Sequence, residues 1–246
     1  MRENSEKERI YGGQPANIKD YPYQVFVHQK GHHESMSCGG AIVGKYYVLT
    51  AAHCLTSKDP KEYVVFSGNT YRKAGFHHKA SLIIPHENYK LFDDGVRAEN
   101  DVGLIKVIQP FEIEHNFYPV RKIEMFYPID EAYPGTQAVL AGWGKKFGGS
   151  QADTLQSLVL PIVSKEQCNY AYSNMGGIPQ NQICAGYLNH ANINVCHGDS
   201  GSPLVIGGRV AGITSWVREP CGMINSPAVF TEVSQYRKWI DLHMVY

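Results

Sequence analysis

Residues 196–203 read Cys196-His197-Gly198-Asp199-Ser200-Gly201-Ser202-Pro203. A serine hydroxyl is a weak nucleophile at neutral pH and needs an adjacent base. Gly198 and Gly201 permit a tight turn with positive φ and close substrate approach. Such a turn can aim the N–H groups of Gly198 and Ser200 at one point, an oxyanion hole. A lone serine is far more often structural, so the run needs partners elsewhere in the chain.

Two further segments supply them: Thr50-Ala51-Ala52-His53-Cys54 and Asn100-Asp101-Val102-Gly103-Leu104. Histidine suits a general base because its unperturbed pKa is about 6.5. A buried carboxylate fixes the imidazole tautomer and stabilises the imidazolium that forms. His53, Asp101 and Ser200 provide one group of each kind, in that order, as candidate catalytic residues.

The surrounding chain is consistent with a globular enzyme. It has 246 residues, enough for one large domain or two small ones. Lys plus Arg equals Asp plus Glu at 23 each, which argues against a broad nucleic-acid footprint. At 43% hydrophobic and 19% charged, the composition is not that of a disordered chain. No apolar run approaches the ~20 residues of a membrane-spanning helix. Residues 1–9 carry no apolar stretch of the signal-peptide kind. The six cysteines read as disulfides or metal ligands. Either a signal has been removed upstream of this numbering, or the cysteines are reduced thiols. C-x-x-C and H-E-x-x-H are both absent. The pairs His32–His33 and His77–His78 read as solvated loop histidines rather than a metal site.

The dominant hydrophobic period is two. Candidate strands are 23–28, 41–50, 63–68, 80–84 and 102–107, then 137–143, 155–163, 182–185, 203–206, 209–216 and 228–233. Short strands with frequent turn signals indicate an all-β barrel or sandwich. Gln109–Gly135 is poorly periodic and reads as a crossing between two six-strand halves. Only the end looks helical, with Ser234 as cap and Tyr236, Trp239, Ile240 and His243 on one face. There is no short repeat.

With these residues in order, the chain resembles the chymotrypsin/trypsin-like serine proteases from Ile10 to about His243. Ile10-Tyr11-Gly12-Gly13, Cys38-Gly39-Gly40, Gly142-Trp143-Gly144 and Ser215-Trp216 extend the match. The resemblance implies two packed six-stranded antiparallel β-barrels, about 23–108 and 135–233, and a C-terminal α-helix at about 234–244. It selects the disulfides Cys38–Cys54, Cys168–Cys184 and Cys196–Cys221 from 15 connectivities. It also implies that residues 1–9 are the end of a propeptide within a zymogen. Cleavage at Arg9–Ile10 would free the Ile10 ammonium to pair with Asp199, in a domain spanning 10–246. Tyr11 stands where the family usually has Val.

The resemblance places Asn194 at the floor of the substrate pocket, with Val195, Ser215, Trp216, Val217 and Ala228 around it. Asn194 lacks the charge that would select Arg or Lys, although Glu219 lies nearby. Val217 and Ala228 replace wall glycines. The expected substrate residue is small or medium aliphatic, an elastase-like preference, with a chymotrypsin-like choice of Leu, Met or Phe as the alternative. The expected activity is that of a secreted serine endopeptidase acting through an acyl-enzyme. A non-catalytic binding protein on the same fold is the competing reading. Expected partners are protein or peptide substrates, a trypsin-like activating protease and protein protease inhibitors, for a monomer without nucleic-acid or membrane partners. No cofactor, metal or N-glycosylation is expected, because the 68–86 loop lacks carboxylates for calcium and no N-x-[ST] sequon occurs.

Overall fold

Alternating burial along Tyr63–Ser67, with every second residue turned inward, is the pattern of a strand with one face in a core. It is one of the six strands that build the first barrel. These are β1 (Gln24–Gln29), β2 (Cys38–Gly44), β3 (Tyr47–Thr50), β4 (Tyr63–Ser67), β5 (Phe76–Pro85) and β6 (Gly103–Val107). They pair antiparallel in the order β1-β2-β3-β6-β5-β4 and close into a barrel. The computed structural model describes residues 12–30, 37–146 and 149–244. Arg9, Ile10, Tyr11 and the pair His32–His33 lie outside them.

The second half holds β7 (Gln137–Gly142), β8 (Gln156–Val163), β9 (Gln182–Ala185), β10 (Pro203–Ile206), β11 (Arg209–Trp216) and β12 (Ala228–Glu232). Their order is β7-β8-β9-β12-β11-β10, closed by pairing of β10 with β7. Counted from its own first strand, each barrel therefore has the same order. The fold repeats although the sequence carries no visible repeat, because a strand order constrains which faces are apolar, not which residues fill them. The all-β, two-barrel architecture is as expected.

Three local expectations are corrected. The run 41–50 is two strands, β2 and β3, reversing at Lys45-Tyr46. Apolar residues continue on both sides of this two-residue turn, which hides it from a periodicity reading. A second helix, α1 (Lys165–Ala171), follows the second barrel's β8, capped where Ser164 Oγ accepts from Gln167 N. Seven residues are too few for a helical period to show. The pair His77–His78 lies on β5 rather than in a loop; His78 is buried, bonded to Ser67 Oγ and the Gln109 carbonyl.

The C-terminal helix, α2, spans Val233–His243. Its N-cap is Glu232, and Ser234 Oγ donates to the Glu232 carboxylate from inside the first turn. Val233, Tyr236 and Ile240 are buried in a cluster that joins first-barrel residues such as Val48 and Ile105 to Val205, Val210 and Ile213 of the second barrel, so the end of the chain packs where the two halves meet. Phe111, Val120 and Ile123 of the connecting segment enter the same core. Disulfides join Cys38 to Cys54, Cys168 to Cys184 and Cys196 to Cys221. The first two each enclose 16 residues of separation, a loop worth roughly 3 kcal/mol in the chain-entropy account.

Candidate active site

His53 sits in a short 3₁₀ turn, Ala52–Cys54, directly after β3. The Cys38–Cys54 bond fastens that turn to the start of β2. Asp101 precedes β6. Asn100 beside it takes a left-handed φ of 53°, which asparagine tolerates better than other side chains. The Asn100 side chain secures this bend, donating to the Asn88 carbonyl and accepting from Tyr236 OH of α2.

These elements bring His53 and Asp101 together. Asp101 is fully buried, its Oδ2 2.7 Å from His53 Nδ1. Asp101 Oδ1 accepts from His53 N at 2.9 Å, and Oδ2 accepts from Ser215 Oγ of the second barrel at 2.6 Å. Thr231 Oγ1 donates to the Asp101 carbonyl, which fixes the residue from the far side. Burial favours the neutral form of both partners, but their mutual charge and hydrogen bonds outweigh it. The Asp101 carboxyl is held below its usual range and the His53 imidazole above its own.

Ser200 approaches from the second barrel. The turn Cys196–Ser200 is folded by Asp199 N donating to the Cys196 carbonyl. Ser200 offers its carbonyl to Gly39 N of the first barrel at 2.8 Å. Gly198 has φ 94°, a value an L side chain rarely takes. A Cβ there would also come within 3.2 Å of the Gly144 backbone. Behind the turn, Ser202 Oγ accepts from Gln24 Nε2 of β1.

His53, Gly198 and Ser200 line a single cleft of about 460 Å³ together with Val195, Ser215, Trp216 and Val217. Two expected pocket residues do not line it. Asn194 is buried, and its amide is committed to the Ser226 carbonyl and to Val195 N. Ala228 is wholly buried in the core of the second barrel. Two lining residues had no recognisable signal, Gly95 and Val96, carried in by the loop before Asp101; Glu219, expected nearby, lines the rim in contact with His197.

Asp199 has no exposed surface. Gly144 N and Cys196 N donate to it at 2.9 and 3.1 Å. Burial pushes its carboxyl up to about 7, against those two hydrogen bonds. The three residues of the one Cys/His cluster close enough to share a cation, among the described residues, are Cys38, His53 and Cys54. Both cysteines are spent on a disulfide, so the cluster does not fit a metal.

The family model described as Trypsin matches residues 10–240. The chain is 33% identical over 238 residues to Trypsin eta of Drosophila melanogaster, covering 94% of this chain and 87% of that protein. It is 32% identical over 238 residues to Trypsin of Phaedon cochleariae, with the same coverage. It is also 32% identical over 239 residues to Transmembrane protease serine 11G of Rattus norvegicus, covering 94% of this chain but 54% of that protein. The chain thus spans about half the length of that relative. No described helix is long and apolar enough to cross a membrane.

Proposed function

The chain belongs to the trypsin family of serine proteases, and from that premise we propose that it is a secreted endopeptidase, made as a zymogen and cut at Arg9–Ile10. The observation that carries the reading is the His53–Asp101 pair, buried on one side and open on the other to a cleft that Ser200 shares. Ser200 Oγ attacks the substrate carbonyl while His53 Nε2 takes its proton. Asp101 keeps the proton on Nδ1 and stabilises the imidazolium. Gly198 N–H and Ser200 N–H receive the developing oxyanion. His53 then delivers the proton to the leaving amine, and water releases the acyl group from Ser200 by the reverse sequence.

Secretion is supported by three disulfides, which persist in oxidising compartments. Activation at Arg9–Ile10 is supported by the family match, which begins at residue 10. A serine-reactive phosphonate should label the cut chain, and Ser200→Ala should abolish both labelling and peptide cleavage. An unlabelled wild type would replace this reading with a binding protein, and a labelled Ser200→Ala chain would remove Ser200 as the nucleophile.

The preferred substrate side chain is small or medium aliphatic. Val195, Trp216 and Val217 line the cleft, and β-branched Val217 takes space that glycine would leave. Asn194 presents no charge to a basic side chain, its amide being used internally. Val217→Gly should therefore raise kcat/KM for Phe relative to Ala before the scissile bond by about tenfold, the scale of one or two methylenes in an apolar pocket. A peptide-library cleavage profile checks it; a wild type that already prefers Phe or Arg contradicts it. If basic residues are poor substrates, the zymogen needs a separate trypsin-like activator.

A further inference from the structure

We propose that Arg72, a first-barrel residue outside the substrate cleft, is a positioning residue for the oxyanion hole and acts through Gln151; the proposal rests on the endopeptidase reading above. It begins at the peptide between His197 and Gly198. The His197 carbonyl accepts from Lys145 N at 2.7 Å. The bond is trans, and a trans peptide points its C=O and N–H in opposite directions. Anchoring the carbonyl on Lys145 therefore turns the Gly198 N–H away from Lys145, toward the cleft that Gly198 lines. Without a Cβ, Gly198 has little steric resistance to rotating this peptide. The Lys145 contact adds resistance to that already given by the Asp199 N–Cys196 carbonyl bond across the turn.

Lys145 is itself held by Gln151, its partner in an isolated antiparallel bridge. Gln151 is held by Arg72. Arg72 Nη1 donates to Gln151 Oε1 at 2.8 Å, and Nε donates to Asp153 Oδ1 at 2.9 Å. Arg72 N donates to the Asp153 carbonyl, and Tyr71 bridges Thr154. The Arg72 side chain is only 16% exposed, while that of Asp153 is 74% exposed. Water screens the ion pair that Nε and Nη2 make with Asp153 Oδ1.

Gln151 Nε2 marks the strain in the arrangement. Among the described residues it has no hydrogen-bond partner, although it is buried, and it stands 3.0 Å from where a Gly198 Cβ would sit. An orphaned buried amide is costly, and a free Gln151 would turn it to water. The Arg72 fork fixes the other end of the amide and holds Gln151 against Gly198. The chain of contacts runs from Arg72 through Gln151, Lys145 and His197 to the Gly198 N–H.

The experiment uses the chain after cleavage at Arg9–Ile10, with Arg72→Ala, Gln151→Ala and the double variant. Each is assayed on a peptide anilide and for inhibition by the matching peptide aldehyde, whose hemiacetal oxygen occupies the oxyanion hole. Complete loss of an oxyanion donor costs about 10²–10³ in kcat, so misdirecting one should cost about tenfold. Each single variant should lose that in kcat with KM nearly unchanged. Aldehyde affinity should fall by the same factor, because only the tetrahedral species uses the donor. The double variant should be no worse than either single one, as expected of residues in one linkage. A folded Gln151→Ala chain with wild-type kcat and aldehyde affinity would overturn the proposal even if Arg72→Ala fails to fold. So would a fall in kcat with aldehyde affinity unchanged, or additive losses. A wild type that the phosphonate does not label removes the endopeptidase reading itself, which a labelled enzyme insensitive to both substitutions does not.

Discussion

Asp101→Asn should lower kcat by about 10⁴ while leaving the fold intact, the scale seen when a triad carboxylate becomes an amide. The reason lies in the three hydrogen bonds Asp101 accepts. His53 N, His53 Nδ1 and Ser215 Oγ all donate to it. An amide oxygen on the Oδ1 side still accepts from His53 N, but the amide nitrogen then faces His53 Nδ1 and must donate. The imidazole proton moves to Nε2, the atom that has to accept from Ser200. A second consequence separates this from simple disruption. Asp101 holds His53 above its usual pKa against the opposing effect of burial. Activity needs neutral His53, so kcat/KM of the wild type rises as pH climbs through that raised value. With Asn the lift disappears and burial alone remains, so the residual activity should begin at lower pH. A pH–rate profile of both enzymes measures the shift. An acidic limb that stays in place, or a loss below about tenfold, would remove Asp101 from the role assigned to it.

How far the molecule could be read from its residues depended on whether each feature is local. Tyr63–Ser67 could be read directly because its two faces meet different environments. The halves could be separated because apolar alternation stops between Gln109 and Gly135. The turn at Lys45-Tyr46 could not be read, since apolar residues continue on both sides of it. Nor could α1, whose seven residues bury only Cys168. In the site, the turn around Ser200 announced itself through its glycines. Asn194 could be placed by counting back from Ser200, but the direction of its amide depends on Ser226, 32 residues away. Arg72 and Gln151 lie 79 residues apart on different barrels and carry no motif. Such a pair is visible only after the barrels have packed.

Blocking the proposed activation cut with Arg9→Gln should leave a chain about 10³-fold less active than the cut enzyme, and the cause is Asp199. Its carboxyl is fully buried beside Gly144 and Cys196, and among the described residues no cation offsets it. Raising it from 3.8 to about 7 corresponds to roughly 4 kcal/mol against the ionised form. At about 1.4 kcal/mol per decade, that is the cost of holding the Gly198–Ser200 turn in place with Asp199 charged and unpaired. A freed Ile10 ammonium would remove it. The sign can be tested on the uncut chain. A carboxyl whose folded pKa is raised binds more protons folded than unfolded between about 4 and 7. Stability therefore falls as pH rises across that window and levels off above it. Asp199→Asn should be flat over the same range, and the cut wild type should lose most of the slope. Thermal unfolding of the three chains from pH 4 to 8 reads this out, with activity measured on each. Equal slopes in all three, or an Arg9→Gln chain as active as the cut enzyme, would show that Asp199 is stabilised by something other than the new amino terminus.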